Sequence, residues 1–295
     1  MKTTILAVVC VPVIAALVGC GENIAPPPVD LSPYYPRQLS ALSVDASTVA
    51  LRWVQPEAVN DAILAGYIIR YAGRRDTVTK TTTDYLASSL LPGIVSFVIS
   101  PLATDGRTAD GTSLLWAPAD RFDAPAYVLY EYNVADLSRN AGLNVGTRLT
   151  DPSTIPVAAA AQESMDLILN GDAGLPLRFQ SAHLVTAGWN VTLLSTISHP
   201  SNSLERYLES YPPDSSFTQA EVVLQNNTVY YAIAEGDLAG ERNYVRIHVR
   251  LLPGAFPNRS IEVTISLQRE VSVPFASLLE GEFPLGGGVS VRGRS

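Results

Sequence analysis

Between Leu39 and Gln268 the chain is written in short runs whose apolar residues recur at every second position, broken by Gly, Pro, Asn and Asp. A period of two places alternate side chains on opposite faces of a strand. In "TVALRWV" (48–54) the residues Val49, Leu51 and Trp53 share one face, and "AGYIIRYA" (65–72) is a β-branched and aromatic run opened by a glycine. "YVRIHVRL" (244–251) sets Val245, Ile247, Val249 and Leu251 against Tyr244, Arg246, His248 and Arg250, so that His248 is expected on a solvated face beside the two arginines. "IEVTISL" (261–267) repeats the pattern with Ile261, Val263, Ile265 and Leu267. Such runs predict half-buried antiparallel strands, and the fold class expected is all-β.

One stretch breaks the rule. In "HPSNSLERYLESYPPDSSF" (199–217), Leu204, Tyr207, Leu208 and Tyr211 fall at i, i+3, i+4 and i+7. That spacing predicts a short amphipathic helix, with Asn202 and Glu205 as its cap and Pro212-Pro213 as its stop. A helical insertion between strands is either a lid that plugs one end of a sandwich or a place for function.

Composition narrows the class. The 295 residues are 47% hydrophobic and 16% charged, against roughly 25% charged in ordinary domains. That balance suits an exported β-rich protein, and the length suggests two domains. The formal net charge is −8, and an acidic chain without a basic block lacks the means to neutralise phosphates, so nucleic acid is excluded as an expected partner.

The first twenty residues carry a different signal. Lys2 precedes an apolar run from Ile5 to Val18, broken by Pro12; this suits a signal-peptide core, whereas a spanning helix needs roughly 20 residues. Leu17-Val18-Gly19-Cys20 resembles the lipobox of bacterial lipoproteins. The resemblance implies that residues 1–19 are removed and that Cys20 becomes the first residue. Its thiol would carry a diacylglycerol and its amino group an acyl chain such as palmitate, giving a membrane anchor in the cell envelope. Two or more chains anchor stably where one is marginal. Cys10 lies in the segment to be removed, which leaves no intrachain disulfide partner for Cys20. Gly21 and Glu22, rather than an aspartate, follow Cys20 and lean towards the outer membrane; the side faced is left open. Residues 20–36 include five prolines and read as an extended stalk. No apolar run of spanning length follows Cys20, so the remainder is expected to be soluble.

Residues 37–120 resemble a fibronectin type III domain. The likeness rests on "LSALSV" (39–44), on "VALRW" with Trp53 as core tryptophan, and on "GYIIRY" with Tyr67 and Tyr71. It continues through "LLPG" (90–93), "FVISPLATDG" (97–106) and "TSLLWAP" (112–118). Where the family places a corner tyrosine, this chain has Ser96 beside Phe97, so the corner is expected to be altered. The resemblance implies a spacer, an adhesive module or a companion to a carbohydrate-active domain. In the loop "TDGRTADGT" (104–112), Asp105, Arg107 and Asp110 are turn formers or a binding epitope.

Residues 124–278 predict a second β-sandwich or jelly roll, with strands near 126–132, 164–169, 176–181, 191–197, 219–224, 228–234, 244–251 and 260–268. "TVYYAIAEGDLAGERNYVRIHVRL" resembles C-terminal domains of bacteroidete-type lipoproteins and, more distantly, haem-carrier lipoproteins, which raises a bis-histidine site at His183 and His199. No motif supports a cofactor or metal, and neither is expected. No nucleophile elbow or nucleotide loop is present. The carboxylates of Asp166 and Glu221 read as exposed partners or turn neighbours rather than a glycosidase pair. Trp189, Tyr207 and Tyr211 are the candidate binding aromatics, since flat rings stack on sugars and bases. Residues 279–295 are expected to be a loose tail. These readings converge on a non-enzymatic envelope lipoprotein that binds protein or glycan, or scaffolds such binding. The alternatives are an accessory to, or weak, carbohydrate-active hydrolase, and a structural spacer subunit of an envelope complex.

Overall fold

The computed structural model describes residues 30–133, 135–158, 164–206, 208 and 210–277. Cys20, the first part of the stalk, Tyr207 and the tail from residue 279 lie outside the described residues. The described residues from Leu31 onward fall in one compact unit.

The first seven strands are β1 (Arg37–Asp45), β2 (Thr48–Val54), β3 (Leu64–Tyr71), β4 (Arg74–Thr79), β5 (Asp84–Ala87), β6 (Val95–Ala103) and β7 (Thr112–Trp116). One sheet runs β1-β2-β5, and a second holds β4, β3, β6 and β7 in that order, all antiparallel. This is the strand partition of a fibronectin type III-like sandwich. Its core follows the alternation: Val49, Leu51 and Trp53 are buried while Arg52 and Val54 face out. The Trp53 ring meets Tyr67 edge-on at 6.2 Å. Phe97 is fully buried and stacks on Tyr71 at 5.7 Å, so at the altered corner an apolar ring packs inward. Between the sheets, Ser43 Oγ accepts from Trp116 Nε1 at 2.9 Å and from the Ala119 amide at 3.1 Å.

The chain then builds β8 (Asp120–Tyr130), β9 (Asn140–Asn144), β10 (Ser153–Pro156), β11 (Leu167–Asn170), β12 (Arg178–Ser181) and β13 (Thr192–Ser195). There follow β14 (His199–Pro200), β15 (Phe217–Gln219), β16 (Glu221–Val223), β17 (Thr228–Glu235), β18 (Arg242–Leu252), β19 (Ser260–Leu267) and β20 (Ala276–Ser277). A five-stranded sheet, β10-β9-β11-β12-β16, faces a seven-stranded sheet, β15-β13-β17-β18-β19-β8, whose β17 also pairs with β14. Leu143, Leu167 and Phe179 from the first sheet pack against Val245, Ile247, Val263 and Ile265 from the second in one fully buried core. The eight strands expected from alternation all have counterparts here. The short strands β9, β10, β14, β15 and β20 were not anticipated.

Among the described residues the two sandwiches are joined at three places. The chain passes out through Ala117–Ala119 and returns after β19, where β20 pairs antiparallel with β7. Around this return the Ala117 amide donates to Phe275 O at 2.9 Å, and Gln268 Nε2, fully buried, donates to Ala117 O at 3.2 Å. In the third connection Ala41 of β1 and Leu208 exchange both backbone hydrogen bonds, each 2.9 Å.

That last pair overturns the helix expected over 204–211. The described residues of this stretch are irregular, and the helical part of the insertion is a single 3-10 turn at Asp214–Ser216. A helix would bond the Leu208 amide to the Leu204 carbonyl. Instead the amide is taken by Ala41 and the carbonyl by Arg246 Nη2 at 3.0 Å. The apolar residues of the pattern are buried as a helix face would be, with Leu204 1%, Leu208 5% and Tyr211 4% exposed. Tertiary hydrogen bonds replaced local ones.

Candidate functional site

The segment 197–217 lies over the outer face of β17 and β18. That face carries Tyr231, Tyr244, Arg246 and His248, and all four are buried. The solvated face expected for Arg246 and His248 is therefore corrected: the insertion roofs it, and only Arg250 stays exposed, paired with Glu262. His248 Nε2 donates to Ser201 O at 3.0 Å, and burial holds its pKa below the usual histidine value.

Aromatic rings form the inner part of the roof. Tyr211 stacks on Phe217 at 5.8 Å and on Phe275 at 5.3 Å, and meets Tyr231 and Tyr244 edge-on at 5.3 and 5.6 Å. Its hydroxyl donates to Val245 O at 3.0 Å, and burial pushes its pKa well up. Tyr244 donates to Asp214 Oδ1 at 3.0 Å, which ties down the 3-10 turn.

A cavity of about 320 Å³ is lined by Ile197, His199, Arg206, Leu208, Tyr211 and Pro212 among others. That volume is at the lower end of the roughly 300–1,000 Å³ typical of small-molecule sites. Among the described residues its lining includes Arg206 and His199. His199 Nδ1 and the Tyr231 hydroxyl share a hydrogen bond of 2.9 Å. Burial and then the charges of Arg206 and Arg246 hold the His199 pKa below its ordinary value. Arg246, 1% exposed, donates from Nη2 to the carbonyls of Leu204 and Arg206 at 3.0 and 3.1 Å and lies 5.9 Å from the Phe275 ring centre. Among the described residues no carboxylate lies within ion-pairing distance of Arg206 or Arg246, and the Nε atom of each is buried without a hydrogen-bond partner. Glu205 is 4.0 Å from Arg121, and Asp214 is engaged by Arg242 and Tyr244.

The other residues singled out from sequence fall elsewhere. Trp189 is half-buried against Met165, Ile168 and Ala182, a cluster separate from the rings around Tyr211. The stacked contacts to Phe217 and Phe275 occupy the Tyr211 ring, which contributes to the cavity wall rather than a free stacking face. Asp105 accepts from the Arg107 amide at 3.0 Å and from its Nε at 2.7 Å, closing a turn on the loop after β6. The Asp110 carbonyl accepts from Ser100 Oγ. Asp166, expected to be exposed, is 3% exposed: its oxygens accept from the Val145 amide at 2.8 Å and Asn190 Nδ2 at 3.0 Å, and burial raises its pKa to about 7. Glu221 is exposed on β16, 3.7 Å from Arg178. His183 Nδ1 bonds Ser181 Oγ at 2.7 Å, so His183 and His199 are held by different partners. Sequence reasoning missed His199, Arg206 and Arg246 as a group. The signal available was an Arg-x-His on the polar face of a central strand, preceded by an insertion long enough to cover it.

No protein-family model matches the chain, and no curated protein matches it. Among solved structures it is similar to a fibronectin type III domain of human collagen XX, with 17% identity, 32% of this chain and 98% of that chain covered, and a TM-score of 0.25. A fibronectin type III domain of human contactin 1 matches at 21% identity over 32% of this chain and 82% of that one, with a TM-score of 0.23. The central fibronectin type III array of RIM-binding protein matches at 10% identity over 82% of this chain and 97% of that one, with a TM-score of 0.26.

Proposed function

We propose that this chain is an envelope lipoprotein, held to the membrane by lipid on Cys20, whose paired sandwiches form a non-enzymatic binding or scaffold module for protein or glycan. The outer membrane is the membrane assigned, from the residues that follow Cys20. The observation that carries the scaffold reading is the sharing of strands: β20 completes a sheet of the first sandwich after the chain has built the second, and Leu208 pairs with β1. A tandem joined at several points presents its surfaces at a fixed spacing, which suits a module that holds or aligns a partner. Asp166, the carboxylate nearest to a catalytic candidate, has both oxygens occupied by structural hydrogen bonds. The anchor is tested by fractionating cells that express the tagged protein and its Cys20→Ser variant. The wild-type protein is expected with membranes and the variant in the soluble fraction. A variant that still fractionates with membranes overturns the anchor. Protease shaving of intact cells then reports the side faced.

A further inference from the structure

Asparagine is followed by glycine once in the chain, at Asn170-Gly171. The pair lies where β11 ends, with Asn170 half-buried and opposite Arg178 of β12. Both polar ends of the Asn170 side chain are held. Its Nδ2 donates to Gln180 Oε1 at 2.8 Å, and its Oδ1 accepts from the Gly171 amide at 2.8 Å. A carbonyl bond is about 1.2 Å long, so the second contact keeps Asn170 Cγ within about 4 Å of the Gly171 nitrogen. Gly171 has no side chain to screen that approach, and its surroundings forbid one: a Cβ there would overlap Arg259 Nη2 and stand 2.7 Å from Glu131 Oε1. We infer that Asn170-Gly171 is a site of spontaneous deamidation, and that the packing around Gly171 turns one of its two products into a local destabiliser of the second sandwich.

The reaction needs only water. The Gly171 nitrogen attacks Asn170 Cγ and closes a cyclic imide; the bond from Cγ to Nδ2 breaks, and Nδ2 leaves as ammonia with the proton that the Gly171 amide gave up. Water then opens the ring, adding its hydroxyl to one imide carbon and its proton to the Gly171 nitrogen. Addition at Cγ gives aspartate. Addition at the main-chain carbon gives isoaspartate, in which Cβ and Cγ run in the main chain. Holding the reacting atoms face to face removes the entropy cost of bringing them together, so the chain reacts without first unfolding. The two products differ in what they disturb. With aspartate, the Gln180 amide turns over and donates to the new oxygen. Isoaspartate lengthens the main chain by one atom beside Gly171, where not even a Cβ fits, and pushes against the Glu131–Arg259 pair. This inference rests neither on the lipid anchor nor on the binding-module reading.

The test incubates the full chain in detergent at neutral and mildly alkaline pH, both folded and in urea. Peptides are then mapped by mass spectrometry, with enzymatic methylation of isoaspartate to separate the two products. Asn170 is expected to lose its amide roughly tenfold or more faster than any other asparagine of the folded chain. Its rate should rise with pH and should not fall below the rate in urea. Urea unfolding should show the isoaspartate form less stable than the fresh chain, and Asn170→Asp close to it. Asn170→Ser, which cannot close the imide, should keep its stability through the same incubation. The inference is overturned if Asn170 keeps its amide, or if the chain in urea reacts roughly tenfold faster than the folded one. It is equally overturned if the isoaspartate form unfolds as the fresh chain does, or if Asn170→Ser loses as much stability on incubation as the wild type.

Discussion

Arg246 Nη2 bridges the carbonyls of Leu204 and Arg206, at 3.0 and 3.1 Å, and so holds the roofing segment to the central strand beneath it. Replacing Arg246 with Met removes a buried cation that has no described carboxylate partner, which favours the variant, but it takes a donor from each of two carbonyls, of which Leu204 O keeps the Arg206 amide at 2.7 Å. The second effect should prevail by about 1–3 kcal/mol, less than the roughly 3–5 kcal/mol for breaking a buried ion pair. Urea unfolding measures the loss. Hydrogen exchange should show it concentrated at the Leu208 and Ala41 amides, which depend on the segment's position.

Phe275 staples the two sandwiches. It is fully buried, meets Trp116 of the first sandwich edge-on at 6.5 Å and stacks on Tyr211 of the second at 5.3 Å. Phe275→Ala is expected to cost about 3–5 kcal/mol and to expose the return crossing at 268–275 to limited proteolysis. Leu91→Ala, at a residue 79% exposed, serves as the control and should change stability by no more than about 0.5 kcal/mol.

Asp166 makes stability fall with rising pH. Burial raises its pKa from 3.8 to about 7, so between those values the folded chain holds a proton that the unfolded chain has released. Its stabilising contribution is complete below pH 4 and is lost as pH rises through 7, by at most about 4 kcal/mol. Asp166→Asn keeps an acceptor for the Val145 amide and removes the titration. Thermal melts from pH 4 to 8 should show a flatter profile for the variant. An unchanged slope would show that Asp166 does not set it.

Glu131 and Arg259 form a bidentate pair, with the Glu131 side chain 0% exposed and bonds of 2.5 and 2.9 Å. Arg259→Ala leaves the carboxylate buried and unpaired and should cost about 3–5 kcal/mol. Gly171 explains its own identity here: a Cβ would stand 2.3 Å from Arg259 Nη2 and 2.7 Å from Glu131 Oε1. Gly171→Ala is expected to destabilise by displacing the same pair. The Gly171→Ala/Arg259→Ala double variant should lose less than the sum, read by chemical denaturation.

The sequence by itself determined the all-β class, the fibronectin-like order of the first seven strands and the long strands of the second sandwich. Alternation over seven or more residues, as in Val49-Leu51-Trp53 or Ile261–Leu267, records which face is buried, and a sheet obeys that record locally. The burial of Leu204, Leu208 and Tyr211 was legible too, though not their conformation. Helical spacing is a preference of about a few tenths of a kcal/mol per residue, and it lost to backbone partners distant in sequence, Ala41 and Arg246. The same long-range contacts decided the site. Arg246 and His248 alternate with core residues as solvated side chains do, and nothing local distinguishes a face that water covers from one that residues 197–217 cover. Only the tertiary structure brings His199, Arg206 and Arg246 together, because their proximity depends on where the insertion is pinned between two sandwiches.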